Sequence, residues 1–261
     1  MPGASAVNGK PMTLPLQTVL LFAAGSVAGM INVLAGGGSM LTVPTLIFMG
    51  VDPITANGTN RVAIVVQNAT AVYGFRRRAL SDFRLSFGLA LAAVPGAALG
   101  AFAASHMEAT TFQRLLSLVL VLSVIALFLP SPVAPETDRL NPWRRAMAYP
   151  LLFGIGFYGG FIQIGVGFIF MAALQRLLRL SLLRVNVHKV FIIMTYTVPA
   201  LAVYVWQDQV DWPLGIALAT GMATGAWAAT HVAVRGGERW IRVVVAAAVA
   251  LMAVKLLIGA L

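Results

Sequence analysis

The chain alternates long apolar runs with short polar segments. Crossing the hydrocarbon core of a bilayer takes about 20 apolar residues in a helix. Two shorter apolar runs, Met40–Gly50 and Phe168–Leu178, each follow a glycine cluster and are too short to cross comfortably at a rise of about 1.5 Å per residue. The runs of spanning length are Thr13–Ala35, Ile54–Phe75, Leu85–Ser105, Thr111–Leu129, Ala146–Ile164, Val185–Trp206, Pro213–Val234 and Trp240–Leu261.

Composition places most of these runs in lipid. Hydrophobic residues make up 59% of the chain and charged residues 10%, against about 25% charged residues in soluble domains. The mean hydropathy of +0.88 means more apolar surface than a core of this size can bury. The sequence therefore predicts an all-α integral membrane protein, and its first apolar run is interpreted as a retained span, being too long for a signal peptide.

The chain divides near its middle into two halves that resemble each other. A proline-rich segment, Pro130–Pro142, separates them. A shift of 129 residues without gaps pairs scarce glycine and polar positions: Gly25 with Gly154, Gly36 with Gly165, Gly38 with Gly167, Asn57 with Asn186, Asp82 with Asp211 and Gly96 with Gly225. We predict a tail over residues 1–12, a first membrane repeat over 13–129, a cytoplasmic linker over 130–145 and a second membrane repeat over 146–261.

Loop charge indicates that the two repeats lie in opposite orientations. The loop that begins Arg76–Arg78 is strongly basic, whereas its counterpart Gln207–Asp211 has no basic residue. The reverse holds for Val51–Thr55, which has no basic residue, while its counterpart region contains three arginines. Short basic loops stay in the cytoplasm. The halves are therefore predicted to be inverted-topology repeats, a plan typical of secondary transporters.

This orientation places both termini outside and most basic residues in the cytoplasm. Each repeat must then cross an odd number of times, so Thr13–Gly50 and Ala146–Leu180 must each return to the side where they began. We interpret each as a helical hairpin broken at its glycines; full crossing would give ten spans and re-entry six. Of the 18 basic residues, 13 fall in cytoplasmic loops: Arg76, Arg77, Arg78, Arg84, Arg139, Arg144, Arg145, Arg176, Arg179, Arg184, Arg235, Arg239 and Arg242.

Glycine clusters stand at both hairpin bends. Glycine exposes backbone N–H groups, and a half-helix that starts there points the positive end of its dipole at whatever lies before it. Two such clusters at equivalent repeat positions predict an anion site built from facing glycine turns, with close helix packing by small residues as the alternative. The residues assigned to this part of the site are Gly36, Gly37, Gly38, Ser39, Gln163, Gly165 and Gly167.

Polar and charged residues follow at matching positions of two later spans. Such residues are costly inside a membrane and are therefore candidates for function. Arg61 and Lys189 would supply positive charge to an anion, and His188 a group that titrates near neutral pH. Snorkelling of the long side chains to the interface is the alternative. The substrate-binding candidates here are Asn57, Thr59, Asn60, Arg61, Asn186, His188 and Lys189.

Several function classes lack their sequence features. No Asp or Glu lies within a predicted span, so the carboxylate relay of many pumps is missing; Asp82 and Asp211 lie just outside spans and are expected to cap helices. The chain has no HExxH, GxSxG or P-loop motif and no cysteine, which argues against an enzyme, a metal site and ATP-driven transport. We expect no cofactor, and no nucleic-acid partner because the basic residues cluster in short loops between spans.

The glycine and asparagine motifs resemble a known family. Gly36-Gly37-Gly38-Ser39, Pro44 and Ala56-Asn57-Gly58-Thr59-Asn60 resemble the first-repeat signature of the sulfite exporter TauE/SafE family, and the region from Gly154 to Gly167 is similar to its second repeat. The resemblance implies transport of sulfur-containing anions, such as sulfite or organosulfonates, across the bacterial cytoplasmic membrane. The chain departs from the family at Asn186–Lys189, where a Gly-Thr-like pair is expected.

The sequence therefore predicts a multi-pass secondary transporter that moves a small sulfur-containing anion by alternating access between its repeats. The substrate anion and the lipid bilayer are its expected partners, and a homo-oligomer is left open. The identity of the anion, the direction of transport and proton coupling are left open as well. An anion channel or uniporter would use the same positive site, and a membrane scaffold would use the glycines only to pack helices; both are alternatives.

Overall fold

The computed structural model describes residues 14–77, 83–128, 142–179 and 181–233, and the regular elements in these ranges are all α-helices. This confirms the predicted all-α class for the described part of the chain. The predicted span Trp240–Leu261, the tail and most of the linker lie outside it. The helices are α1 Leu14–Leu34, α2 Ser39–Phe48, α3 Pro53–Arg76, α4 Phe83–Ser105, α5 Ala109–Phe128, α6 Pro142–Phe161, α7 Val166–Leu178 and α8 Leu182–Trp206, with α9 over residues 212–233.

Helix lengths follow the predicted spans. Three described stretches are long and apolar enough to cross a membrane by length and composition: Pro15–Leu34 in α1, Arg84–Ser105 in α4 and Leu182–Trp206 in α8. The two short apolar runs form α2, with 10 residues, and α7, with 13 residues. Both are shorter than the roughly 30 Å hydrocarbon core at about 1.5 Å per residue. The helical conformation is thus interrupted at both glycine clusters.

Local signals set the helix boundaries around these breaks. Gly36 after α1 and Gly165 before α7 have φ angles of 96° and 70°, in the left-handed region that favours glycine. The Asp52 carboxylate accepts hydrogen bonds from the N–H groups of Ile54 and Thr55 and caps α3. Asp211 Oδ1 accepts from Leu214 N at 3.1 Å, which confirms the predicted cap at α9; Asp82 lies outside the described residues.

The polar and apolar surfaces are distributed as expected for a protein in lipid. Leu99, Phe102 and Ile216 are each more than half exposed on the outside of the bundle, whereas Asn60 and Arg61 are fully buried. Apolar side chains facing outward gain nothing from burial when the surroundings are lipid tails. Buried polar groups, in contrast, must find hydrogen-bond partners inside the protein.

The two halves pack through glycine-lined helix faces. Gly96 on α4 lies against the carbonyl of Phe153 on α6, and Gly225 on α9 lies against the carbonyl of Ser26 on α1. A Cβ atom at either glycine would overlap the facing backbone. Small residues permit such close approach, which is how membrane helices gain packing energy without a hydrophobic driving force.

The described helices repeat with the predicted offset. Helices α1 to α4 begin at residues 14, 39, 53 and 83, and α6 to α9 begin at residues 142, 166, 182 and 212. Each helix of the second set starts within two residues of the position that a shift of 129 predicts. A glycine turn therefore precedes the second helix of each set, which is α2 in the first half and α7 in the second.

Candidate functional site

The structure brings the two predicted glycine turns into direct contact. Gly36, at the end of the α1 break, lies against the backbone of Gly167, at the start of α7. A Cβ atom on either glycine would overlap the backbone of the other. Gly37 faces the ring of Phe168, where a Cβ would come to 2.6 Å from the ring edge. The starts of α2 and α7 therefore meet at one place inside the bundle.

The first turn is held by Asn32 of α1 and by side chains of α3. Asn32 Oδ1 accepts from Gly38 N at 3.2 Å, and its Nδ2 donates to Gln67 Oε1 at 2.6 Å. Asn60 accepts from the Thr42 hydroxyl at 2.6 Å and donates to Ser39 Oγ at 3.2 Å. These bonds fix α2 and the predicted site residues Gly38, Ser39 and Asn60 against α3.

The second turn is held by tyrosines and by Gln163. The Tyr158 hydroxyl donates to Ile164 O at 2.6 Å, immediately before Gly165. Gln163 Nε2 donates to the Tyr196 hydroxyl at 3.3 Å. Tyr196 occupies the position on α8 that Gln67 occupies on α3 after the 129-residue shift. In each half, the helix break is thus hydrogen-bonded to the same repeat position on the long helix, which is Gln67 on α3 and Tyr196 on α8.

Arg61 of the first half binds the broken end of α6 in the second half. It is fully buried, and its Nη1 donates to Gly159 O at 3.1 Å and to Gln163 Oε1 at 3.0 Å. Its Nη2 donates to Gly160 O, and its guanidinium lies 4.8 Å from the centre of the Tyr204 ring. The last carbonyls of a helix lack intrahelical partners and carry the negative end of the dipole. The Arg61 guanidinium donates hydrogen bonds to these carbonyls and also places a positive charge at the negative end of the α6 dipole.

Lys189 of the second half binds the broken end of α1 in the first half. Its Nζ donates to Asn32 O at 3.1 Å and to Val33 O at 3.0 Å, and lies 3.8 Å from Met171 Sδ. The side chain is 1% exposed, so neither Lys189 nor Arg61 snorkels to the interface. Helices α1, α7 and α8 contain no Asp or Glu. The Lys189 ammonium is therefore met by the partial negative charges of the carbonyls at the end of α1.

Asn57 and Asn186, equivalent in the two halves, repeat this exchange. Asn57 Nδ2 donates to Phe161 O at the end of α6, at 2.9 Å, and to the Tyr204 hydroxyl at 2.7 Å. Asn186 Nδ2 donates to Leu34 O at the end of α1, at 3.3 Å. The Oδ1 atoms of both asparagines and Nε of Arg61 are buried without a hydrogen-bond partner within the described part of the chain.

Thr59 and His188, also equivalent, contact a different part of the bundle. The Thr59 hydroxyl accepts from Asp211 N at 2.8 Å, just before α9. His188 Nδ1 lies 2.8 Å from Ser86 Oγ near the start of α4. The hydrogen bonds of these two predicted site residues thus lead to the starts of α9 and α4, whereas those of Arg61, Lys189 and the asparagines lead to the helix breaks.

Sequence reasoning missed Tyr204 and Met171. Tyr204 is fully buried and contacts both Asn57 and Arg61. Its place near the end of a span is typical of an interfacial anchor, and its counterpart after the 129-residue shift is Phe75, which gives no polar signal. Met171 is one of many apolar residues on α7, and nothing in its spacing distinguishes it.

Comparison with known proteins gives a consistent result over nearly the whole chain. The chain is 29% identical over 257 residues to the probable membrane transporter protein YfcA of Escherichia coli K12, covering 96% of this chain and 93% of that protein. It is 28% identical over 241 residues to a probable membrane transporter protein, ORF9, of Sinorhizobium sp, covering 91% of each. The probable membrane transporter protein YjnA of Bacillus subtilis is 25% identical over 248 residues, covering 89% of this chain and 95% of that protein.

No solved structure shows a significant match to the chain. The profile of the sulfite exporter TauE/SafE family matches residues 21–256, which include both glycine turns and all nine described helices from the middle of α1 onward. The motifs, the helical membrane architecture and the transporter relatives all agree with this match. The chain therefore belongs to the sulfite exporter TauE/SafE family and is a membrane transporter rather than an enzyme.

Proposed function

We propose that this protein is a secondary transporter that carries a small sulfur-containing anion, of the sulfite or organosulfonate class, across the bacterial cytoplasmic membrane. The family description names sulfite export, and the relatives carry transporter names. The observation that carries the proposal is the contact between the two glycine turns, beside which Arg61 and Lys189 are buried.

The anion is proposed to bind where α2 and α7 begin. Both helices start at glycines, so the positive ends of their dipoles point at the turns, where they would favour an anion. The turns touch in this structure, so a ligand enters only when one half moves relative to the other. That movement is the alternating-access step, and it would expose the turns to one side of the membrane at a time.

The two halves are proposed to be inverted repeats with both termini outside. Loop charge supports opposite orientations, and the pattern of hydrogen bonds supports a symmetric relation between the halves. Arg61 and Asn57 of the first half reach the end of α6, while Lys189 and Asn186 of the second half reach the end of α1. Such a reciprocal exchange is what a two-fold axis between the halves produces.

Thermal unfolding of the purified protein in detergent tests the anion site. The panel is sulfite, sulfate, thiosulfate, sulfoacetate, taurine and chloride. A ligand that binds only the folded state stabilises it by about 2.7 kcal/mol at a concentration of about 100 Kd. We expect stabilisation by at least one sulfur anion and none by chloride.

Two alanine variants locate the effect. Gly37→Ala adds a methyl group against the flexible Phe168 ring at the turn, whereas Gly154→Ala on α6 meets nothing within 4 Å. The anion response should be lost in Gly37→Ala and kept in Gly154→Ala. An equal response in both variants would place the ligand elsewhere, and no response in the unmodified protein would favour the scaffold alternative.

A further inference from the structure

The carbonyls at the two helix breaks hold cations that belong to the protein itself. In transporters with broken helices, the exposed carbonyls at the C-terminal ends of half-helices coordinate the coupling ion. In this chain Lys189 Nζ lies on Asn32 O and Val33 O at the end of α1. The guanidinium of Arg61 lies on Gly159 O and Gly160 O at the end of α6. A sodium ion at either position would have to displace a tethered cation.

The two tethered cations differ in chemistry. Arg61 is always charged and presents a planar fork, which here engages three acceptors and faces the Tyr204 ring. Lys189 can exist as an ammonium or as a neutral amine. Two of its contacts are single carbonyls and the third is a thioether, which is a weak acceptor. The α1 break is thus held by the one group of the pair that can release a proton.

In the part of the chain that the structure describes, helices α1 to α4 and α7 to α9 contain no carboxylate that would hold the proton of Lys189. Helix α1 has no ionisable side chain. Besides Lys189, the titratable and charged groups on helices α3, α4, α7, α8 and α9 are Arg61, Tyr73 and Arg76 on α3, Arg84 on α4, Arg176 on α7 with Arg179 at its end, Arg184, His188, Tyr196 and Tyr204 on α8, and His231 on α9. The arginines, which are fixed positive charges, dominate this set, and His188 is engaged by Ser86 of α4.

We propose that Lys189 is the coupling residue of the transporter, a tethered ammonium that takes the place of a coupling sodium ion at the α1 break. It binds a proton from water on one side of the membrane, holds it on Nζ between the two carbonyls, and releases it to water on the other side when the halves move. The step balances as an ammonium giving a neutral amine and a proton in water. This inference rests on the proposed transport of an anion.

The test uses reconstituted protein with radiolabelled sulfite as the probe and radiolabelled taurine as a second one. Counterflow exchange measures movement of the substrate without a driving ion, and accumulation under an imposed gradient measures coupling. With one proton for each anion, a gradient of about one pH unit supports roughly tenfold accumulation. We expect the unmodified protein to accumulate the probe under a pH gradient and not under a sodium gradient.

Lys189→Arg separates coupling from transport. It keeps a cation and its donors at the α1 carbonyls but cannot release a proton at physiological pH. We expect it to retain counterflow and to lose the accumulation driven by pH. Lys189→Gln, which keeps amide donors, should show the same split if the larger arginine disturbs folding. Arg77→Met, at an exposed position at the end of α3, is the control and should keep both counterflow and accumulation.

Each outcome bears on one claim. Accumulation driven by pH in Lys189→Arg or Lys189→Gln, or accumulation driven by sodium in the unmodified protein, would overturn the coupling role. Absence of counterflow for both probes in the unmodified protein would instead contradict the proposed transport function. The inference is supported if the Lys189 variants retain counterflow but lose pH-driven accumulation, while the unmodified protein and the control variant keep both.

Discussion

The two helix breaks are built on one plan and held by different chemistry. At the end of α6, Arg61 uses both terminal nitrogens and lies beside Tyr204. At the end of α1, Lys189 reaches two carbonyls with a single nitrogen. The glycine turns, the long polar helices and the asparagines repeat between the halves, whereas these two cations do not. The comparison indicates that the α6 break is the more strongly held of the two, and that the α1 break is held by a group that can release a proton.

The largest effect should come from removing the cations. Arg61→Met leaves the carbonyls of Gly159 and Gly160 and the Gln163 amide without their donor, and should cost about 3 kcal/mol of folding free energy. Lys189→Met should cost less, about 2 kcal/mol, because fewer acceptors lose a partner. Thermal and denaturant unfolding in detergent measure both values.

Arg77→Met serves as the control for these variants, since Arg77 is exposed at the end of α3 and its loss should change stability by less than about 0.5 kcal/mol. If Lys189→Met proved more destabilising than Arg61→Met, the α1 break would be the more strongly held one and the comparison would be reversed.

A smaller effect should distinguish the two asparagines. Asn57 makes two bonds across the halves, at 2.9 and 2.7 Å, and Asn186 makes one at 3.3 Å. Interhelical hydrogen bonds in membranes contribute about 0.6 kcal/mol each, so Asn57→Ala should cost about twice as much as Asn186→Ala. Asn68→Ala is the control, because Asn68 donates to Ile64 O of its own helix. Equal losses of folding free energy in Asn57→Ala and Asn186→Ala would contradict this difference between the two breaks.

Sequence alone predicted most of the fold. Apolar run length predicted the helices from α1 to α9, and the glycine clusters predicted both breaks, because hydropathy and glycine content act locally along the chain. The 129-residue shift predicted which helices correspond. It could not show that the halves exchange contacts, since hydrogen bonds such as that from Arg61 to Gly159 join residues about a hundred positions apart.

The candidate site was predicted in outline. The glycine turns were expected to face each other, and the structure brings Gly36 and Gly167 together. Arg61 and Lys189 were singled out as charges inside spans, but helical periodicity shows which face of a helix a residue occupies and not which neighbour it meets. Their partners are backbone carbonyls, which every residue has and no sequence pattern marks. Tyr204 lies near the end of a span, where tyrosine is common, so its position gave no sign of its contacts with Asn57 and Arg61.

Opposite orientation of the two halves is the central claim, and cysteine labelling tests it most directly. The chain has no cysteine, so single replacements at Arg77, after α3, and at Gln207, after α8, can be labelled without background. We expect a membrane-impermeant maleimide to label Gln207→Cys in intact spheroplasts and Arg77→Cys only after permeabilisation. Labelling of both from the same side would contradict the inverted arrangement and the alternating-access proposal built on it.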